Sequence, residues 1–154
     1  MRTTTQEPLS SSDARAAIIS CHDELRGLVS ETIHIAEHTT SSDRDVEPLR
    51  AHARELYEAV EEHMEFEERI LPTALRDVIG WGAALQAQVV ESHEKQRAIL
   101  ASAMSALEPA SFSPLRLVQS VRTFTDSILD DLKTEEDCLL SADVDALTID
   151  GHGG

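Results

Sequence analysis

The sequence predicts an all-α fold, an antiparallel up-down-up-down four-helix bundle, and three observations carry that expectation. Glycine and proline are scarce, 6 and 5 in a chain of 154 residues, and they sit at apparent boundaries. Four segments of similar length each carry apolar residues spaced three and four apart. Short connections join them, and no alternating strand pattern competes.

The length suits one domain with a single hydrophobic core. A formal charge of −16 argues against nucleic acid and anionic membrane as partners, because both would repel such a chain. No apolar run approaches the roughly 18 residues of a spanning helix, and "MRTTTQEPLSSS" has no secretory h-region. Two cysteines, Cys21 and Cys138, are too few for a disulfide framework, although a single bridge stays open. The expected setting is the cytoplasm.

The first helix starts after "SSSD", with Ser11 or Ser12 as cap, and runs to about His38. Its inward stripe is Ile18, His22, Leu25, Val29, Ile33 and Ala36. "TTSSDRD" (39–45) reads as a loop. The second helix carries Pro48 in its first turn and stops at Pro72, with His52, Leu56, Ala59, Val60, His63, Glu67 and Ile70 on one side. "TALRDVIGWG" is a connector. The third helix, about 83 to 107, presents Val89, Val90, His93, Arg97, Leu100, Met104 and Leu107. After "EPASFSP", Ser113 caps a fourth helix with Pro114 at its first position. That helix lines up Leu117, Val121, Phe124, Ile128, Asp131, Glu135 and Cys138 and ends near Leu140. Residues 1–10 and 142–154 are expected to be flexible ends around a bundle at 11–141.

Polar residues interrupt every one of these apolar stripes. They are His22 on the first helix, His63 and Glu67 on the second, His93 on the third, and Asp131 and Glu135 on the fourth. Residues four apart share a helix side one turn apart, so each such pair can point at one centre. An unpaired carboxylate inside a bundle is strongly disfavoured, whereas cations held by carboxylates and imidazoles satisfy the whole set. Mixed imidazole and carboxylate donors without thiolate suit iron, manganese or zinc better than calcium. Glu67 and Glu135, from different helices, are placed to bridge two metals. A lone inward histidine is more often a hydrogen-bonded core residue, but six such residues spread over four helices are hard to obtain by chance.

The other histidines read as something else. His34 and His38 are turned about 120° and 160° from His22 around the helix and belong to the surface. His52 shares the phase of His63 about three turns away, as a pocket-lining or bundle-end residue. His152 belongs to the tail, and Glu58, Glu61, Glu62, Glu65 and Glu68 form a solvated face. An internal echo aligns "HMEFEERILP" with "DLKTEEDCLLS", setting Glu67 over Glu135 and Glu68 over Glu136.

This pattern resembles the hemerythrin-like family, the HHE cation-binding domain. The matching pieces are His22 in "HDELR", His63 and Glu67 in "HMEFEERILP", His93 in "HEKQ" and Glu135 in "TEEDCLL", over roughly residues 14 to 141. Asp131 stands where the family pattern has a histidine, four before Glu135. The resemblance implies two non-haem iron ions, with O2 or peroxide as exogenous ligand. It admits O2 binding or sensing, a di-iron enzyme acting on peroxide, NO or ferrous iron, or a metal-free interaction module. The segment "DALTIDG" (145–151) also has a passing similarity to the docking peptides that load cargo into encapsulin shells.

Overall fold

The computed structural model describes residues 9–39, 46–78, 80–108 and 113–150, the last nine by their backbone only. Four helices follow in chain order: α1 (Ser11–His38), α2 (Val46–Ala74), α3 (Gly82–Ser105) and α4 (Pro114–Asp150). No strand occurs among the described residues. α1 packs on α2 and α4, and α3 packs on the same two, which makes the expected four-helix bundle. The segments at 40–45 and 109–112, the first eight residues and His152 lie outside the described residues.

The helix ends follow local chemistry and correct the sequence expectation in three places. Ser10, not Ser11 or Ser12, caps α1: its Oγ accepts the Asp13 N–H at 3.0 Å. Pro72 lies inside α2, which continues to Ala74. Proline forfeits its own amide bond and crowds only the turn before it, so the residues after it stay helical when they are held. Here they are held. Leu75 N–H bonds Leu71 O at 3.0 Å, and Arg15 of α1 donates to Ala74 O at 2.8 Å while pairing with Asp77 at 2.6 Å. The turn into α3 uses Gly80 at φ 93, a left-handed conformation that suits glycine. At Gly82 a Cβ would sit 3.2 Å from Leu75 O, so the first residue of α3 is held against the connector's backbone.

Ser113 and Pro114 open α4 as expected, the Ser113 Oγ accepting the Arg116 N–H at 3.4 Å. The third correction is the length of α4, which passes Leu140 and reaches Asp150. No glycine or proline separates Pro114 from Gly151, so nothing in that stretch stops a helix. The backbone of the "DALTIDG" segment is helical up to Asp150 accordingly.

The apolar core comes in two blocks. One joins Ala14 and Ile18 of α1 to Leu71 and Ala74 of α2, Leu85 and Val89 of α3, and Leu139 of α4. The other joins Leu25 and Val29 to Leu56 and Val60, Leu100 and Ala103, and Phe124, Ile128 and Leu132. Early α1 and α3 thus meet late α2 and α4, the signature of alternating direction. Thr32 and not Ile33 is buried on α1; Leu85, Gln96 and Ala103 are buried on α3, where Met104 is 38% exposed. A packed helix buries a broader face than a one-residue-per-turn stripe.

Candidate metal centre

The gap between the two core blocks is filled by polar side chains from all four helices. His22, Glu67 and His93 are fully buried, and His63 and Glu135 nearly so. Donor atoms of His22, His63, Glu67 and Glu135 all lie within 4.8 Å of one another. Glu67 Oε2 is 2.7 Å from His63 Nε2, 3.7 Å from His22 Nε2 and 3.8 Å from His93 Nε2. Glu135 approaches His22 Nε2 at 3.2 Å and His93 Nε2 at 3.1 Å. Five of the six residues expected at a metal site therefore converge.

Asp131 is placed differently. It is half-buried, one turn before Glu135, and its carboxylate accepts a hydrogen bond from the Gln96 amide of α3. Burial raises its pKa, with the Gln96 bond opposing and Glu135 adding to the rise.

Outside the cluster lie two matching clamps. His22 Nδ1 is 3.1 Å from Glu136 Oε1, and Arg26 grips both Glu136 oxygens at 2.6 Å. His93 Nδ1 is 3.1 Å from Glu68 Oε1, and Arg97 grips both Glu68 oxygens at 2.8 Å. Each carboxylate holds its imidazole with Nδ1 outward and Nε2 toward the centre, the orientation that a metal-ligating histidine needs. The Arg97 and Arg26 guanidiniums hold the Glu68 and Glu136 carboxyls below their usual range, against a smaller effect of burial. Glu68, expected on a solvated face, is thus part of the centre, and Arg26 serves Glu136. The signal was present as His-x-x-x-Arg on both α1 and α3, matched by Glu-Glu on both α2 and α4.

The electrostatics inside the cluster are those of a site waiting for positive charge. Burial would lower the pKa of His22, but hydrogen bonds and charge from Glu135 and Glu67 outweigh it and raise the group to about 9. His93 is raised as well, burial being outweighed mainly by Glu135. Burial would raise Glu67, yet His22 and His63 hold it well below the usual carboxylate range. Even so, these are close ion-pair contacts of poor geometry: His22 Nε2, both ring nitrogens of His63, both oxygens of Glu67 and Glu135 Oε2 are buried without a well-formed hydrogen bond among the described residues. Orphaned donors and acceptors of this kind are costly, and imidazole and carboxylate atoms facing one another fit a cation.

The remaining expected positions fall into place around this. His34 and His38 are exposed, with ring centroids 4.3 Å apart, and His52 is half-buried with Nδ1–H donating to Pro48 O at 2.9 Å. Cys21 and Cys138 are free and line different clefts. One cleft, about 410 Å³ between α1 and α2, reaches His63. The other, about 370 Å³ between α3 and α4, reaches Glu135 and Asp131. No described helix is long and apolar enough to cross a membrane.

An all-α bundle with a buried His/Glu cluster that could hold metal defines a class of cation-binding helical protein. The hemerythrin HHE cation-binding domain family matches residues 13–142, and the chain belongs to it. No curated protein and no solved structure matches the chain.

Proposed function

We propose that the chain is a non-haem di-iron protein that binds or senses O2. The observation that carries this reading is the set of buried imidazole and carboxylate atoms that face one another between the two core blocks without well-formed hydrogen bonds. His22, His63 and His93 would act as terminal ligands, and Glu67 and Glu135, from α2 and α4, would bridge. Asp131 would complete the set on the α3–α4 side, where the family pattern has a histidine. Two irons held this way would supply the redox chemistry that O2 binding requires. The protein's own part is to orient His22 and His93 through Glu136 and Glu68, and to surround the centre with apolar side chains.

Metal content and visible spectrum of freshly purified protein test the first step, with two irons per chain expected. Exposure of the ferrous protein to O2 tests the second: a visible band should appear and then disappear on deoxygenation. Irreversible conversion to the ferric form would refute O2 binding. It would favour a second reading, an enzyme that turns over peroxide, NO or ferrous iron, for which the cleft reaching Asp131 and Glu135 is the supporting feature. Repeated turnover of H2O2 by iron-loaded but not metal-free protein would establish that reading. A folded protein that takes up no metal when iron is ample would leave only an interaction module.

A further inference from the structure

The two clefts that reach the centre carry the same formal charge in their linings but differ in where it lies, at the mouth or deeper in, and in what stands at their floors. The α1–α2 cleft carries Glu24, Glu62 and Glu65, all exposed, against a single guanidinium, Arg69. The α3–α4 cleft carries Glu91 paired with Lys95 at 3.8 Å, with Asp131 and Glu135 deeper in. The first mouth is therefore net negative, whereas the opposite charges at the second offset each other.

The floors differ as well. His22 and His93 have Nδ1 fixed by Glu136 and Glu68. His63, which lines the α1–α2 cleft, has no such clamp: its side chain is 7% exposed, and its Nδ1 has no hydrogen-bond partner among the described residues. Of the three imidazoles, it alone lacks a carboxylate that fixes its Nδ1 from outside. Its Nε2 already stands 2.7 Å from Glu67.

We infer that the α1–α2 cleft is the path by which divalent cations reach the centre, an inference that rests on the metal-centre reading above. Glu24, Glu62 and Glu65 concentrate a hydrated divalent cation at the mouth. His63 replaces one of its waters and delivers it to Glu67. A hydrated dication gains from this funnel because like-signed charges around a low-dielectric cleft focus their field along it. The attraction decays over a Debye length of about 8 Å at physiological ionic strength, so salt should suppress it.

The test uses the full-length metal-free protein and Co2+ alone, whose visible absorption on binding reports both rate and end point. At low ionic strength the Glu24→Gln, Glu62→Gln, Glu65→Gln triple variant should take up Co2+ about tenfold more slowly than wild type. Both proteins should reach the same stoichiometry, and their rates should converge at high salt. Glu91→Gln, in the other cleft, should leave the rate unchanged. Because each cleft is lined by one cysteine, a bulky maleimide offers an independent check. Capping Cys21 in a Cys138→Ser background should slow uptake, and capping Cys138 in a Cys21→Ser background should not. Equal rates for wild type and the triple variant at every salt concentration would overturn the path while leaving the centre intact, as would slower uptake on capping Cys138 than on capping Cys21. If wild type takes up no Co2+, the metal-centre reading fails and takes the path with it.

Discussion

Raising the pH of the metal-free protein from 6.5 to 9 should destabilise it, and His22 sets the size of the effect. Buried between Glu135 at 3.2 Å and Glu67 at 3.7 Å, its imidazole binds a proton more tightly folded than unfolded. A folded pKa above the unfolded value contributes stability that is complete below the unfolded pKa. That stability is lost as pH rises through the folded one. For His22 the window runs from 6.5 to about 9, and the linked free energy is about 3 kcal/mol. His93, shifted the same way by Glu135, adds to the loss. The assay is urea denaturation with chelator present, followed by helical circular dichroism at several pH values. The midpoint should fall steadily above neutrality. Metal-loaded protein should show the opposite trend, because a cation needs the neutral imidazole and each pH step removes a competing proton. Metal-free stability that stays flat or rises between pH 7 and 9 would refute the proposed charge pairing.

Further expectations follow from single side chains. Glu67→Ala and Glu135→Ala should each lose most bound iron while keeping full helical circular dichroism. Either variant retaining two irons with an unaltered spectrum would end the bridging assignment. Glu68→Gln and Glu136→Gln should each weaken metal binding by about tenfold, because the imidazoles lose the carboxylates that orient them; competition with a chromophoric chelator measures this. Asp131→Ala should lose one iron preferentially, and Asp131→His should keep both and shift the visible spectrum. An alanine variant identical to wild type in metal content would remove Asp131 from the site. Tyr57 packs edge-to-face on Phe124 at 4.4 Å, while its buried hydroxyl has no hydrogen-bond partner among the described residues. Tyr57→Phe should therefore raise stability by about 1 kcal/mol, read as a higher melting temperature; a lower one would reveal a partner for the hydroxyl.

The fold was legible because helix periodicity and most of the punctuation agree, and the convergence of His22, His63, Glu67, His93 and Glu135 followed from their phase. What escaped was chemistry that depends on a neighbouring helix. Glu68 sits in an acidic run and reads as solvent-facing until Arg97 and His93, 29 and 25 residues away in sequence, are seen beside it. Gln96 is buried in phase with Val89, His93 and Leu100, yet its role shows only once Asp131 of α4 is seen beside it. Pro72 marked the wrong boundary because the hold on the end of α2 comes from Arg15, 59 residues before the carbonyl it binds. Phase tells which way a residue points; it says nothing of what stands opposite.

The polar layer between the two apolar blocks also has a mechanical meaning. Helices faced only with leucine, valine and alanine can slide past one another by a turn, about 5.4 Å, at modest cost, because one apolar contact replaces another. Here such a slip would carry Glu67 or Glu135, the buried carboxylates of the described chain, away from the histidines and into a block of aliphatic side chains. Uncompensated burial of that charge costs several kcal/mol, so only one alignment of the four helices survives. The same residues that would hold metal thus act as detents that index the bundle, and they do so before any cation arrives.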